Sequence, residues 1–187
     1  MKVTCIVGSA RSNGSSAYLV DQFIKGLGGR AEVKKYCVGD MNIGFCKGCK
    51  SCYVTGECEQ NDDVKGAVED IMLSDYVFMV APSYWAGVPG QLKTFFDRTT
   101  PYGDTNPKRI VCPKEGAKGI AVAVRAGTRD AENKLILDAI EHYFGHLGIK
   151  TVNRISITRT DTLADLLERH GNETEQIYKL GQSIANT

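Results

Sequence analysis

Apolar runs and helix-patterned stretches alternate five times along the chain. Val3–Gly8, VTCIVG, is a short β-rich run. Leu19, Val20, Phe23, Ile24 and Leu27 recur at helical spacing within Ala17–Leu27, and Gly28 and Gly29 predict the stop, since glycine accepts the left-handed C-terminal position. Ala31–Val38 reads as a second strand. Asp62–Leu73 reads as a helix opened by Asn61 or Asp62, with Val64, Ala67, Val68 and Ile71 on one face. Tyr76–Ala81 is continuously apolar, the pattern of a strand buried on both faces. Pro89–Arg98 is a short helix with Leu92, Phe95 and Phe96 inward. Gly119–Val124 is another buried strand, Ala131–Leu147 a long helix and Lys150–Ile157 a last strand. Thr162–Ala185 is a helical ending interrupted near Gly171. Between them Thr100–Gly116, with three prolines and two glycines, is an irregular excursion, expected to pack on a partner subunit.

Strand and helix in strict alternation predict an α/β fold: a doubly wound parallel sheet with helices on both faces, joined by right-handed crossovers. Five strands predict the flavodoxin-like order 2-1-3-4-5 in one domain over residues 1–187. Ligands of such sheets bind at the carboxyl ends of the strands, beside the switch point between strands 1 and 3. The loops after strands 1 to 4 therefore carry the candidate chemistry.

Composition narrows the classes. The chain has 187 residues, 23 Lys plus Arg against 22 Asp plus Glu, and a formal net charge of +1. That balance argues against nucleic-acid or membrane-surface binding by bulk charge. No apolar run approaches a bilayer span, and the first residues read as a strand rather than a signal peptide, so a cytoplasmic protein is expected. Seven cysteines are many for that compartment, and four of them share one loop, which points to metal or redox chemistry.

The loop after strand 1 is Gly8-Ser9-Ala10-Arg11-Ser12-Asn13-Gly14-Ser15-Ser16, followed by Ala17. Hydroxyls and free N–H groups at a helix N-terminus make an anion site. The loop lacks the lysine of a Walker sequence and the glycine spacing of a dinucleotide fingerprint, so a terminal monophosphate held without magnesium fits best. The plain alternative is a Ser or Asn helix cap. Cys5, five residues, Arg11 and Ser12 also satisfy a cysteine-phosphatase pattern. Cys5, however, lies inside the apolar run, where its sulfur packs, and no Asp-Pro dipeptide is present to supply a general acid. The loop after strand 3, Pro82-Ser83-Tyr84-Trp85-Ala86-Gly87, offers aromatic faces and close backbone to a flat heterocycle, or else plugs the core or a subunit contact. Arg125-Ala126-Gly127-Thr128-Arg129 is a third polar turn at the same edge.

Together these loops resemble the NADPH-dependent FMN reductase and iron–sulfur flavoprotein families. Their first loop runs roughly Gly-Ser-Pro-Arg-x-x-Gly-Asn-Thr, against GSARSNGSS here. Their second runs Pro-x-Tyr-x-x-x-x-Pro-x-x-x-Lys-x-x-x-Asp-Arg, matched by Pro82, Tyr84, Pro89, Lys93, Asp97 and Arg98. Ala10 stands where the pattern has proline, and Ser15 where it has asparagine. The resemblance implies FMN. Ser9, Arg11, Ser15 and Ser16, with Asn13 and Ala17 in the same loop, would hold its phosphate. Pro82, Ser83, Tyr84, Trp85 and Gly87 would line the isoalloxazine, with Ala126, Gly127 and Thr128 closing one side.

Cys46, Cys49, Cys52 and Cys58 lie within a segment spanning 46–58. Four thiolates this compact can bind a [4Fe–4S] cluster, much as the ferredoxin run does, and iron–sulfur flavoproteins carry this compact kind of motif. Reduced structural cysteines and a zinc site are the competing readings. Lys47 and Lys50 add positive charge, expected to lower the thiol pKa values. Cys5, Cys37 and Cys112 read as core or bystander thiols. His142 and His146 stand i, i+4 on the long helix, without the glutamate of a zincin, and read as a plain helix face.

The expectation is an FMN-dependent oxidoreductase carrying a [4Fe–4S] cluster. It would pass electrons from ferredoxin or NAD(P)H to oxygen, peroxide or a quinone, as a homodimer or homotetramer. The chemistry is borne by the cofactors, so no side chain is assigned as acid or nucleophile. The alternatives are an NAD(P)H-dependent FMN or quinone reductase without a cluster and a flavodoxin-like electron carrier. The near-neutral charge disfavours the carrier, since flavodoxins are usually strongly acidic.

Overall fold

The apolar runs become five strands of one parallel sheet in the computed structural model, which describes residues 1–187. The strands are β1 (Lys2–Val7), β2 (Glu32–Cys37), β3 (Tyr76–Pro82), β4 (Lys118–Val124) and β5 (Lys150–Ile157). Their order is β2-β1-β3-β4-β5, as the alternation predicts. Seven α-helices connect or flank them: α1 (Ser15–Leu27), α2 (Cys52–Thr55), α3 (Val64–Met72), α4 (Gly90–Arg98), α5 (Asp130–Leu147), α6 (Leu163–Arg169) and α7 (Gly171–Ala185). The four-residue α2, inside the cysteine loop, has no periodic signal in the sequence, and neither has the 3-10 turn at Thr100–Tyr102.

Two cores sandwich the sheet. On one face α3, α4 and α5 bury Val68, Ile71, Leu92, Phe95, Ile136 and Phe144 against Ile6, Val77, Met79 and Ala121. On the other, α1, α6 and α7 cover Val3, Cys5, Val7, Phe78 and Val122, with Phe23 stacked on Phe78 at 4.1 Å between ring centroids. Cys5 is fully buried there, and burial pushes its thiol up to about 12, against the lowering influence of Lys35. A thiol held protonated in the core is a packing group, not a nucleophile.

The sheet places the loops. Val7 lies in register with Val80 on one side and Cys37 on the other, so the loops leaving β1, β2 and β3 emerge side by side. The backbone N–H of Gly8 donates to Val80 O at 2.7 Å. A Cβ at Gly8 would stand 2.6 Å from Leu92 Cδ2 and 3.0 Å from Val80 O, so a larger residue at this turn would have to displace the buried Leu92.

Candidate functional site

The segment between β1 and α1 has the form of an anion cradle. Ser9, Ser15 and Ser16 are buried, whereas Ala10, Arg11, Ser12 and Asn13 are exposed. Gly14 is the N-cap residue of α1, and no side chain caps the helix. A helix N-terminus needs partners for its first N–H groups. Here neither a serine nor Asn13 supplies one, so the plain capping alternative does not hold. Ser9 Oγ instead accepts from the N–H of Arg11 at 3.0 Å and shapes the loop. Gly39, just after β2, passes so close that a Cβ would lie 2.5 Å from Ala10 O. The loop is thus backed on one side by main chain, with Ala17 buried beneath it.

After β3 the chain makes a tight hairpin. Tyr84 and Gly87 exchange both backbone hydrogen bonds, at 2.9 and 3.0 Å. The two residues between them, Trp85 and Ala86, are both left-handed, with φ of 53° and 58°. Each non-glycine residue held there costs about 1–2 kcal/mol. Trp85 is entirely exposed and Tyr84 41% exposed, so neither ring is a core plug. Pro82, Ser83 and Gly87 are partly buried. Ser83 N donates to Val124 O at 2.8 Å, tying this loop to the end of β4. There Ala126 and Thr128 are exposed, Gly127 O accepts from Arg159 N at 3.0 Å, and Arg125 pairs with Glu132 at 2.7 Å. Ala86→Gly should relieve the left-handed strain and raise stability by about 1 kcal/mol. A thermal melt that does not move upward would contradict this hairpin geometry.

The cysteine loop is held at both ends by one buried arginine. Arg98, the last residue of α4, is paired with Asp62, their side chains 1% and 8% exposed. Its Nη1 donates to Gly44 O at 2.7 Å, ahead of the first cysteine. Its Nη2 reaches Asp62 Oδ1 at 3.1 Å and Gln60 O at 3.4 Å, beyond the last. Burial disfavours the guanidinium charge, but Asp62 and the neighbouring Cys58 outweigh it and hold the Arg98 pKa above its ordinary value. Arg98 Nε is buried without a hydrogen-bond partner. Asn106, also buried, donates through Nδ2 to Cys52 O at 3.1 Å and Pro101 O at 3.3 Å. Sequence reasoning carried Arg98 only as a motif position and missed Asp62 and Asn106. Nothing along the chain links Arg98 or Asn106 to the cysteine run, so no sequence signal could have found the clasp.

This geometry shows what the excursion packs on within the chain and corrects the expectation about thiol ionisation. The Thr100–Gly116 excursion folds onto its own chain: Asn106 holds the cysteine loop, Arg109 Nη2 donates to Leu147 O at 2.7 Å, and Lys114 N to Met72 O at 2.8 Å. Only a short stretch with Ile110 and Val111 leaves apolar side chains exposed. The four cysteines are free thiols, Cys52 partly buried and Cys46, Cys49 and Cys58 exposed. Lysine charge was expected to lower their pKa values, yet that of Cys52 is raised, by burial first and then by Cys58, Cys49 and Cys46. Cys46, Cys49 and Cys58 therefore all stand within electrostatic reach of Cys52. No three thiol, imidazole or carboxylate groups in the chain converge in metal-ligand geometry.

A groove of about 700 Å³ opens beside the hairpin. Ala86, Gly87 and Val88 form one end, α4 and α5 the walls, and Tyr53, next to Cys52, another edge. Phe96 and Tyr143 stack in it with centroids 4.0 Å apart. The structure thus brings the hairpin and the cysteine loop to one groove, while the serine cradle lies at the neighbouring strand end. No helix is long and apolar enough to cross a membrane.

Comparison with known proteins agrees with this architecture. Residues 1–163 match the family described as NADPH-dependent FMN reductase. An iron–sulfur flavoprotein of Archaeoglobus fulgidus is 38% identical over 104 residues, 55% of this chain and 47% of that protein. The chain therefore spans about half the length of that relative. An iron–sulfur flavoprotein of Methanocaldococcus jannaschii is 33% identical over 147 residues, 77% of this chain and 71% of its own. Among solved structures, an NAD(P)H:quinone oxidoreductase from Methanothermobacter marburgensis superposes with a TM-score of 0.71 at 16% identity, covering 98% of this chain and 96% of that one. That likeness establishes the flavodoxin-like fold. With the family match over most of the chain and the iron–sulfur flavoproteins as relatives, the chain belongs to the NADPH-dependent FMN reductase family, on its iron–sulfur flavoprotein side.

Proposed function

We propose that the chain is one FMN-binding domain over residues 1–187 that works as a flavin-dependent oxidoreductase and carries a [4Fe–4S] cluster on Cys46, Cys49, Cys52 and Cys58. The uncapped N-terminus of α1, with buried Ser9, Ser15 and Ser16 around it, carries the flavin part of the reading. Those N–H groups and hydroxyls suit a phosphate dianion, and exposed Arg11 at the mouth adds charge. Asn13 and Ala17 complete the loop. Pro82, Ser83, Tyr84, Trp85 and Gly87 receive the ring system, and Ala126, Gly127 and Thr128 bound its far side. When bound, the flavin supplies two-electron exchange and the cluster one-electron transfer. The residues position these groups and exclude water, and none acts as acid or nucleophile.

The donor set supports the cluster. Burial and the three other thiols raise the cost of ionising Cys52, and a cationic metal centre relieves that cost. Arg98, a buried guanidinium within reach of Cys58 and with an unpartnered Nε–H, suits a sulfur-rich anionic group. The relatives' names point the same way. NAD(P)H or ferredoxin is the proposed donor, and oxygen, peroxide or a quinone the acceptor. Trp85, Phe45, Val54 and Ile110 are strongly exposed apolar groups, which supports burial in a homodimer or homotetramer. Light scattering at micromolar concentration checks this, and a monomer counts against it.

Anaerobically purified protein tests the whole reading through its visible spectrum, iron and sulfide content, and chromatography of the released flavin. FMN with about four irons per chain is expected. FAD would overturn the phosphate assignment. FMN with less than about one iron, or with zinc, leaves the second reading, a cluster-free FMN or quinone reductase. Its support is that three of the four thiols are exposed and do not converge. Arg11→Ala is expected to weaken FMN retention tenfold or more, the equivalent of a charge-assisted contact of about 1.5–3 kcal/mol. The melting of the apoprotein should stay put, because Arg11 is exposed.

A further inference from the structure

Away from the cysteine loop, two imidazoles and a carboxylate form a connected set. His142 and His146 lie one turn apart on α5, their Nε2 atoms 3.0 Å from each other and their rings perpendicular. Behind them, His146 Nδ1 is 2.7 Å from Asp104 Oδ1, in the segment that follows α4. The same segment is anchored to the same helix turn, since Asp104 N donates to His146 O at 2.9 Å. A carboxylate accepts, so Nδ1 of His146 carries the hydrogen and its Nε2 presents a lone pair. His142 then fills the gap by donating Nε2–H to that lone pair. Both histidines line the groove of about 700 Å³, along with Thr100 and Thr105.

We propose that His142 and His146 form a binding site for a divalent first-row transition-metal cation, with Asp104 holding the His146 tautomer and open coordination positions facing the groove. Three features point there. Imidazole nitrogens suit Ni²⁺, Cu²⁺ and Zn²⁺. A metal-binding histidine characteristically donates its other ring N–H to a carboxylate, and Asp104 stands at that position. Two nitrogens 3.0 Å apart, each about 2.0–2.1 Å from a metal, subtend roughly 91–97° at it, the cis angle of a tetragonal or octahedral ion, once each ring has turned its Nε2 lone pair from the other nitrogen toward the ion. Tetrahedral zinc needs only a few tenths of an ångström more, which exposed side chains on a helix supply by a small χ rotation. Binding turns His142 to its Nδ1–H tautomer and replaces the N–H···N bond with two N–metal bonds, so no proton is gained or lost. The remaining positions hold water or an oxygen ligand from the groove. The site is separate from Cys46–Cys58 and does not depend on whether that loop holds a cluster.

The chain has three histidines, so imidazole nitrogen NMR of the labelled full-length protein reads each one. His170, bonded to Glu173 at 3.1 Å, is the internal control. Zn²⁺ and Ni²⁺ are titrated past the point where the thiols stop responding. The expected result is that the Nε2 signals of His142 and His146 respond together while His170 does not. Asp104→Asn should weaken that response about tenfold or more. His142→Gln should weaken it at least as much and remove the response of His146 at the same metal concentration. Circular dichroism of both variants should match the parent, because these side chains are exposed. Imidazole signals that stay still up to about 1 mM of either metal overturn the site, as does a response of one histidine alone. An Asp104→Asn variant that binds like the parent removes Asp104 from it.

Discussion

Arg98→Ala is expected to destabilise the protein by about 3–5 kcal/mol, because it leaves the Asp62 carboxylate buried without its counter-charge. It also strips hydrogen bonds from Gly44 O and Gln60 O, so both ends of the cysteine loop come free together. Two measurements separate this from a generic core defect. Limited proteolysis should cut first between residues 42 and 62, and the double variant Arg98→Met with Asp62→Leu should recover part of the loss, since no lone charge remains buried. Equal stability of the double and single variants would contradict the clasp. The acid limb carries a second signature. Burial pushes Asp62 up, but Arg98 and the N–H groups of Gly44 and Val64 outweigh it and hold the carboxyl below its ordinary value. A depressed folded pKa stabilises fully above the unfolded pKa of about 3.9, and that contribution fades as pH falls through the folded pKa. Asp62→Asn should therefore flatten the acid limb of the stability profile below about pH 4.

Gly26→Ala should be costly for a different reason. Gly26 on α1 and Gly181 on α7 face each other where the two helices cross, and a Cβ at Gly26 would overlap Tyr178 O and lie 3.1 Å from Gly181 Cα. The atoms in the way are backbone, so no side chain can rotate aside. Overpacking of this kind costs about 1–3 kcal/mol. For a chain of this size that lowers the melting temperature by roughly 2–4 °C per kcal/mol. Flavin content should hold, because this crossing lies at the end of α1 remote from Ser9 and Ser15. α7 also lies beyond the residues that match the family. A variant that melts normally would show that the helices shift apart without cost.

The strand order and the turn opening α1 were legible because each rests on local rules. Tyr76–Ala81 and Gly119–Val124 are short apolar runs without alternation, the pattern of a strand covered on both faces, and alternation with helices then points to a parallel sheet. Gly8, Gly14 and the serines announce a turn that opens a helix. What the excursion at Thr100–Gly116 packs on within the chain was not legible, because its prolines and glycines mark irregular backbone but say nothing of its contacts. Asn106 supplies the answer, and nothing around it distinguishes it from a surface asparagine.

By itself the sequence determined the five-stranded parallel fold, the serine-rich turn that opens α1 after β1, and the thiol set at Cys46–Cys58, since each follows from residue type at short spacing. Only the tertiary structure decided how they are joined. Arg98 meets Asp62 across 36 residues, and Asp104 meets His146 across 42. The left-handed Trp85–Ala86 hairpin that exposes the tryptophan is likewise held between β3 and α4 against its local preference. Contacts between distant positions depend on how the chain closes in space, and no period or motif along it records which charge will find which.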